Sequence, residues 1–250
     1  MGSVNTPPLT NDSPSQAHET IQSDPFRPQR MDALMRKTYF DGLHRPLTIA
    51  AKTFVLNARS SDEGVFVTFD TETTGLGIHD VAIQMAYIIC AADGTVLHMY
   101  NHLWRTSNGR QIPKAAYDVH KISKIDLVAR GVSPVNEILA FFRLANVCAA
   151  HGIRICAHNS AFDARILDQT AASFGLPERL NRDALFCTMM RSKDKAAFFS
   201  EKTGRRRAAK NSELYEYLHG VKTNVRLHDA AGDIECTSKN YVAGRKRRWW

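Results

Sequence analysis

The chain has 250 residues, of which 44% are hydrophobic and 23% are charged, and its net charge is +8. This composition is ordinary for a globular protein with one substantial domain plus extensions. No apolar run approaches the length that spans a bilayer, so we expect no membrane association. The five cysteines are widely spaced without a Cys-x-x-Cys pair, which argues against a structural zinc site and for a reducing, intracellular compartment.

The first 60 residues differ in composition from the remainder. Residues 1–30 are rich in Pro, Ser, Thr, Asn, Asp and Gln without periodic apolar positions, and we predict that they are disordered. Apolar residues return over 31–60, in a pattern typical of a short helix and an extended segment. This extension either docks on the following domain or binds a partner, and the sequence leaves both readings open.

A central α/β domain is predicted over residues 61–243. Its first three strands form a meander, with an Asp-Gly turn between the second and the third. Helices and strands then alternate, which predicts three layers with a mixed five-stranded sheet flanked by helices. The predicted strands are 65–70, 81–90, 95–104, 153–157 and 183–189, and the predicted helices are 135–150, 162–174, 211–218 and 230–243.

Asp70 and Glu72 are the most informative pair in the sequence. They lie two residues apart at the end of an apolar, β-branched run, and Thr-Thr-Gly follows them. Because successive side chains of a strand point to opposite faces, both carboxylates project from the same face. Two adjacent carboxylates repel each other unless a cation lies between them. The pattern therefore predicts a divalent-metal site at the end of the first strand.

Two further acids are candidates for the same site, because hard cations bind several oxygen ligands. Asp163 falls in the first turn of the helix that leaves the fourth strand, and Asp233 lies near the start of the last helix. His228 lies on the loop before that helix. Taken singly, Asp163 is more typical of a helix cap or dipole partner than of a metal ligand, and His228 is more typical of a solvated or capping histidine than of a catalytic one. The order of all three motifs favours a shared site.

These motifs resemble the DEDDh family of 3′–5′ exonucleases: Asp-x-Glu at 70–72, Asp163, and His-x-x-x-x-Asp at 228–233. The segment 69–76 is especially similar to the proofreading exonuclease subunits of bacterial replicative polymerases and to their stand-alone relatives. The segment 119–123 is similar to the family's Val-His-Gly-Ile-Thr, but Lys121 stands where glycine is usual. The resemblance covers residues 65–242.

The resemblance implies a ribonuclease-H-like fold and hydrolysis with two Mg²⁺ ions, for which Mn²⁺ would substitute. It implies that Asp70 bridges both ions, that Glu72 and Asp233 complete the coordination of one ion, and that Asp163 binds the other. His228 would be the general base, since histidine titrates near neutrality. The product would be a nucleoside 5′-monophosphate. The residues implied in substrate binding are Thr71, Thr73, Thr74, Leu76, His120 and Asn159.

The expected partner is a nucleic acid with a free single-stranded 3′ end, and the residues after Glu72 favour DNA. Residues 191–222 hold nine basic and four acidic residues, and the last twelve residues hold five basic residues and no acid. Such clusters neutralise phosphates, although a solvated surface or a nuclear-localisation signal would look the same, so the compartment is cytoplasmic or nuclear. A basic tail is assigned to residues 244–250, and its two tryptophans either stack on bases, dock on the chain's own domain or dock on a partner. A polymerase or other protein could bind through the tail or the extension.

The alternatives to a 3′–5′ exonuclease acting on DNA are a 3′–5′ exoribonuclease and a non-catalytic nucleic-acid-binding module.

Overall fold

A computed structural model describes residues 64–107 and 109–250, so the predicted segments 1–30 and 31–60 lie outside the described residues. A five-stranded sheet with the order β3-β2-β1-β4-β5 forms the centre. β1 pairs antiparallel with β2 and parallel with β4, so the sheet is mixed, as the sequence predicted. The strands are β1 Val65–Thr73, β2 Ala82–Ala91, β3 Val96–Leu103, β4 Ile155–Ala157 and β5 Leu185–Cys187.

The helices surround this sheet, and a small two-stranded hairpin lies between the fifth and sixth of them. The helices are α1 Lys114–His120, α2 Lys124–Arg130, α3 Val135–Ala150, α4 Ser160–Ser173, α5 Thr188–Ser192, α6 Asn211–His219 and α7 Ala230–Lys246. The hairpin strands are β6 Phe198–Phe199 and β7 Arg206–Arg207.

The alternation of side chains along β1 separates two hydrophobic layers. Val65, Val67 and Phe69 point to a core shared with α3 and α4. Phe66, one residue out of step, points to a second core shared with α7. Because Asp70 and Glu72 keep the parity of Phe66, their side chains face the α7 layer. The three-layer, ribonuclease-H-like fold predicted from the sequence is confirmed.

Several of the predicted element boundaries need correction. β1 continues to Thr73, so both carboxylates lie within the strand. The predicted fifth strand ends at Cys187, because the Cys187 Sγ accepts a hydrogen bond from the Met190 N–H and starts α5. The fourth strand begins at Ile155 and α4 at Ser160. The sequence analysis assigned no helix to residues 114–130, where α1 and α2 form.

The C-terminal residues fold back on the domain. α7 runs to Lys246, three residues into the segment assigned to the tail. The Trp250 ring stacks on Tyr241 and meets Phe186 edge-on, so the end of the chain packs on its own domain. Glycine at position 244 leaves room for this contact, because a Cβ atom there would lie 1.9 Å from the Trp250 ring. Within the described ranges, no helix is long and apolar enough to cross a bilayer.

Candidate metal and catalytic site

Three of the predicted acids meet between β1 and α7. Ligand oxygens of Asp70, Glu72 and Asp233 all lie within 4.8 Å of one another. β1 supplies the first two because they share a face, and α7 supplies Asp233 from its first turn. The pairing of β1 with β2 places Gln84 directly opposite Glu72. Residues far apart in the sequence therefore form one carboxylate cluster at the end of the first strand.

Asp163 approaches the cluster from the other layer. It is buried in the first turn of α4, and its Oδ1 accepts a hydrogen bond of 2.8 Å from the Thr71 hydroxyl. Thr71 lies between Asp70 and Glu72 and points to the opposite face of β1. It therefore fixes Asp163 relative to the strand that carries the other two acids. Asp163 also lies near enough to Asp70 to raise its pKa by charge repulsion.

The cluster carries an excess of negative charge. Burial, and then repulsion from the neighbouring acids, raises the pKa of Asp70 well above its ordinary value. The same two causes raise the pKa of Glu72 to about 8. Burial raises the pKa of Asp163 to about 7, although its hydrogen bonds from Thr71 favour the charged form. In the described part of the chain, no Lys or Arg forms an ion pair with these acids or with Asp233.

These properties fit divalent cations. Four carboxylates converge, and carboxylate oxygens are the ligands that hard cations such as Mg²⁺ prefer. The repulsion that raises their pKa values is what a bound cation would relieve. The residues present are therefore suited to hold Mg²⁺ or Mn²⁺.

His228 lies at the edge of this cluster. Its side chain is exposed, and its backbone N–H donates a hydrogen bond of 2.7 Å to Asp233 Oδ2. Its φ angle is 59°, a left-handed conformation that non-glycine residues seldom adopt. The next residue, Asp229, caps α7 and accepts a hydrogen bond of 2.9 Å from the Gln84 side chain. The loop that carries His228 is thus fastened on both sides.

Two supporting residues were missed by the sequence analysis. Gln84 holds Asp229. Its place opposite Glu72 follows from the register of β1 on β2, which the sequence did not specify. Asn211 is the first residue of α6. Its side-chain amide donates hydrogen bonds of 3.1 Å to the Asp233 carbonyl and 3.0 Å to the Thr237 hydroxyl. Asn240 in turn donates 3.0 Å to Asn211 Oδ1, which fixes the orientation of that amide. No local pattern in the sequence indicates the role of Asn211.

The predicted substrate residues after β1 form a braced loop. The Thr73 hydroxyl donates to the Gly75 carbonyl, and the Thr74 hydroxyl donates 2.8 Å to Asp80 Oδ1. The same Asp80 carboxylate accepts a hydrogen bond of 2.7 Å from the Gly77 N–H. The loop therefore closes on itself directly after the metal site.

Helix α4 holds this loop from outside. Arg165 donates to the carbonyls of Leu76, at 3.1 Å, and Gly77, at 3.0 Å. Gln169 donates 2.6 Å to the Asp80 carbonyl. The Leu76 side chain itself is 78% exposed. An apolar side chain is thus presented to solvent from a backbone that is fixed by the helix that carries Asp163.

The remaining predicted contacts, His120 and Asn159, lie on two different helices, α1 and the start of α4. His120 ends α1 in a buried position; burial lowers its pKa, and the Thr73 backbone and His228 are near enough to act on it. Lys121 follows with φ 63°, so it occupies the left-handed position where glycine is usual in the resembling pattern. Asn159 precedes α4 with φ 91°. The structure brings His120 near Thr73 and His228 and places Asn159 at the start of the helix that carries Asp163.

Comparisons with known proteins identify the fold. Escherichia coli exonuclease I in complex with a dT13 oligonucleotide has a TM-score of 0.56 and 17% identity, covering 74% of this chain and 42% of that chain. A moderately thermophilic exonuclease I from Methylocaldum szegediense gives 0.56 and 16%, covering 74% of this chain and 41% of that chain. This chain thus spans less than half the length of those proteins, and at such identity the likeness shows the fold.

No curated protein sequence matches the chain. The family model described as Exonuclease (RNase_T) matches residues 67–241, which include all four acids and His228. The DEDDh-type resemblance found in the sequence is confirmed, whereas the closer similarity to proofreading subunits stays a prediction. The chain belongs to the RNase_T family of exonucleases.

Proposed function

We propose that this protein is a metal-dependent 3′–5′ exonuclease that removes nucleotides from the 3′ end of a nucleic-acid strand, with DNA favoured. The observation that carries the proposal is the convergence of four carboxylates at the end of β1, with His228 beside them. A structural role alone gives no reason to gather four acids, two of them buried and two partly buried, without an ion-paired Lys or Arg among the described residues.

Asp70, Glu72 and Asp233 would hold one divalent ion, with Asp70 shared, and Asp163 would hold the second. When bound, such ions acidify the attacking water and stabilise the charge on the leaving oxygen. Mg²⁺ is the expected ion because all donors are carboxylate oxygens, and Mn²⁺ would substitute.

His228 would take the proton of the attacking water. The water oxygen forms a bond to the terminal phosphorus, the bond from phosphorus to the 3′ oxygen of the preceding nucleotide breaks, and that oxygen takes up a proton. The released product is a nucleoside 5′-monophosphate. The hydrogen bond from the His228 backbone to Asp233 supports this role, because it ties the base to a metal ligand.

The braced loop that includes Thr73, Thr74 and Leu76 would receive the terminal nucleotide. Thr71 would act indirectly, since its hydroxyl is already committed to Asp163. His120 and Asn159 are the remaining candidates for contacts to the terminal phosphate or sugar. Exonuclease I, which shares the fold, has been solved with a dT13 oligonucleotide, and this supports DNA as the substrate.

The proposal is tested with matched single strands of DNA and RNA that carry a label at the 5′ end. Each strand is incubated with Mg²⁺, with Mn²⁺ and with EDTA, and the products are resolved by length. We expect a ladder shortened from the 3′ end, lost with EDTA and with Asp70→Asn, while Asp183→Asn, an exposed acid, behaves as wild type. Faster shortening of RNA would make the protein an exoribonuclease. Binding without shortening would refute catalysis and leave a nucleic-acid-binding module.

A further inference from the structure

The β6–β7 hairpin has two chemically different faces. Phe198 pairs with Arg207 and Phe199 with Arg206, so each pair shares one face. On the inner face, the Arg207 guanidinium lies over the Phe198 ring and binds both carboxylate oxygens of Glu213, at 2.6 Å and 2.8 Å. The inner face is thus committed to packing against α6.

The outer face is aromatic and basic. Phe199 is 56% exposed, and Lys202, Arg205 and Arg206 are exposed beside it. Among the described residues, no carboxylate forms an ion pair with any of these three cations. An exposed ring next to cations that form no ion pair is the combination that binds single-stranded nucleic acid, by stacking on bases and by neutralising phosphates. Arg206 donates a hydrogen bond of 3.4 Å to the Asp194 carbonyl, which leaves its positive charge uncompensated.

The hairpin lies beside the carboxylate cluster. Arg207 is four residues before Asn211, whose side chain contacts Asp233, and four residues span at most about 14 Å. A second hydrogen bond ties the segment after the hairpin to the start of α4. The Nε2 of His158, two residues before α4, donates 2.9 Å to the carbonyl of Ala209, two residues after β7. A strand whose 3′ end occupies the site can therefore reach the hairpin within a few nucleotides.

We propose that the outer face of the β6–β7 hairpin binds the substrate strand upstream of its 3′ end. Phe199 stacks on a base, and Lys202, Arg205 and Arg206 contact phosphates. This inference rests on the proposed function for the identity of the strand. It adds a second contact surface, whose consequence is that long strands bind more tightly than short ones.

The test measures binding of fluorescein-labelled oligothymidylates of about 20 and about 4 nucleotides in EDTA, at several NaCl concentrations. Phe199→Ala should weaken binding of the long strand about tenfold. The Arg205→Ala/Arg206→Ala double variant should lower the salt slope by about 1.4, since each lost phosphate contact removes about 0.7. Arg143→Ala/Arg179→Ala, with two exposed arginines elsewhere, should bind as wild type.

The outcomes separate this inference from the proposed function. Equal affinity and equal salt slope in the wild type and the hairpin variants would overturn it. A charge-conserving Arg205→Lys/Arg206→Lys variant should keep the wild-type slope, and its loss would equally overturn it. Thermal unfolding of each variant checks that the fold is intact. Shortening of the long strand by the wild type in Mg²⁺ is followed in parallel, and its failure would count against the proposed function alone.

Discussion

Replacing Glu72 by glutamine should stabilise the metal-free protein. Glu72 is only 8% exposed, and its neighbours Asp233, Asp229 and Asp163 are acids, so its charged form is disfavoured in the folded state. Glutamine has the same shape without the charge. A ligand optimised to hold a cation is thus destabilising when the cation is absent.

The magnitude follows from the pKa of Glu72, which burial and the nearby acids raise from 4.5 to about 8. One pKa unit corresponds to about 1.4 kcal/mol. At pH 7 the folded state keeps Glu72 mostly protonated while the unfolded state ionises it, and this difference costs the folded state roughly 3 kcal/mol. Because the pKa in the folded state is the higher one, the contribution of Glu72 to stability is most favourable below pH 4.5 and is lost as the pH rises towards about 8. Glu72→Gln removes this contribution and should flatten the pH dependence.

The assay is urea unfolding of the wild type and Glu72→Gln in EDTA and in Mg²⁺, across the same pH range. In EDTA the variant should be more stable by an amount that grows with pH, and Mg²⁺ should stabilise the wild type more than the variant. Glu216→Gln, an exposed carboxylate on α6, serves as the control and should change little. Equal stability of wild type and Glu72→Gln at pH 8 in EDTA would refute the reasoning.

Three further changes have expected results. His228→Ala should lower kcat about 10²- to 10⁴-fold, because the general base is lost, while Mn²⁺ binding measured by electron paramagnetic resonance is retained. Arg165→Ala should raise KM about tenfold by releasing the Leu76 carbonyl and loosening the loop, with a smaller effect on kcat in steady-state kinetics. Gly244→Ala should lower the free energy of unfolding by about 1–3 kcal/mol, as its methyl group meets the Trp250 ring, measured by urea unfolding.

Each of these predictions has its own control or contrary outcome. Arg182→Ala removes an arginine that pairs with Asp168 on the same helix as Arg165, and it should leave KM unchanged. Full activity of the His228 variant would exclude that residue as the base. An unchanged free energy of unfolding of the Gly244 variant would contradict the reasoning, because it would mean that Trp250 shifts away from the added methyl group without loss of stability.

Some features could be predicted because they depend only on neighbours in the sequence. The alternation of β1 places Asp70 and Glu72 on one face wherever the strand packs. The signal for α2 was also local: Ser123 and Asp126 form a reciprocal capping box, and it was overlooked in the sequence analysis. The seven-residue α1 has no comparable cap, since Pro113 offers no side-chain hydrogen bond.

The order of the acids, the face they share on the first strand and the layered α/β fold could be predicted, because each depends on spacing along the chain. The side chains that support the acids could not be predicted, because they meet only when distant elements pack together. Gln84 holds a residue 145 positions away, and Arg165 holds a loop almost 90 positions away. Such contacts arise when α4 and α7 pack on opposite faces of β1, and no local periodicity specifies which side chains then meet.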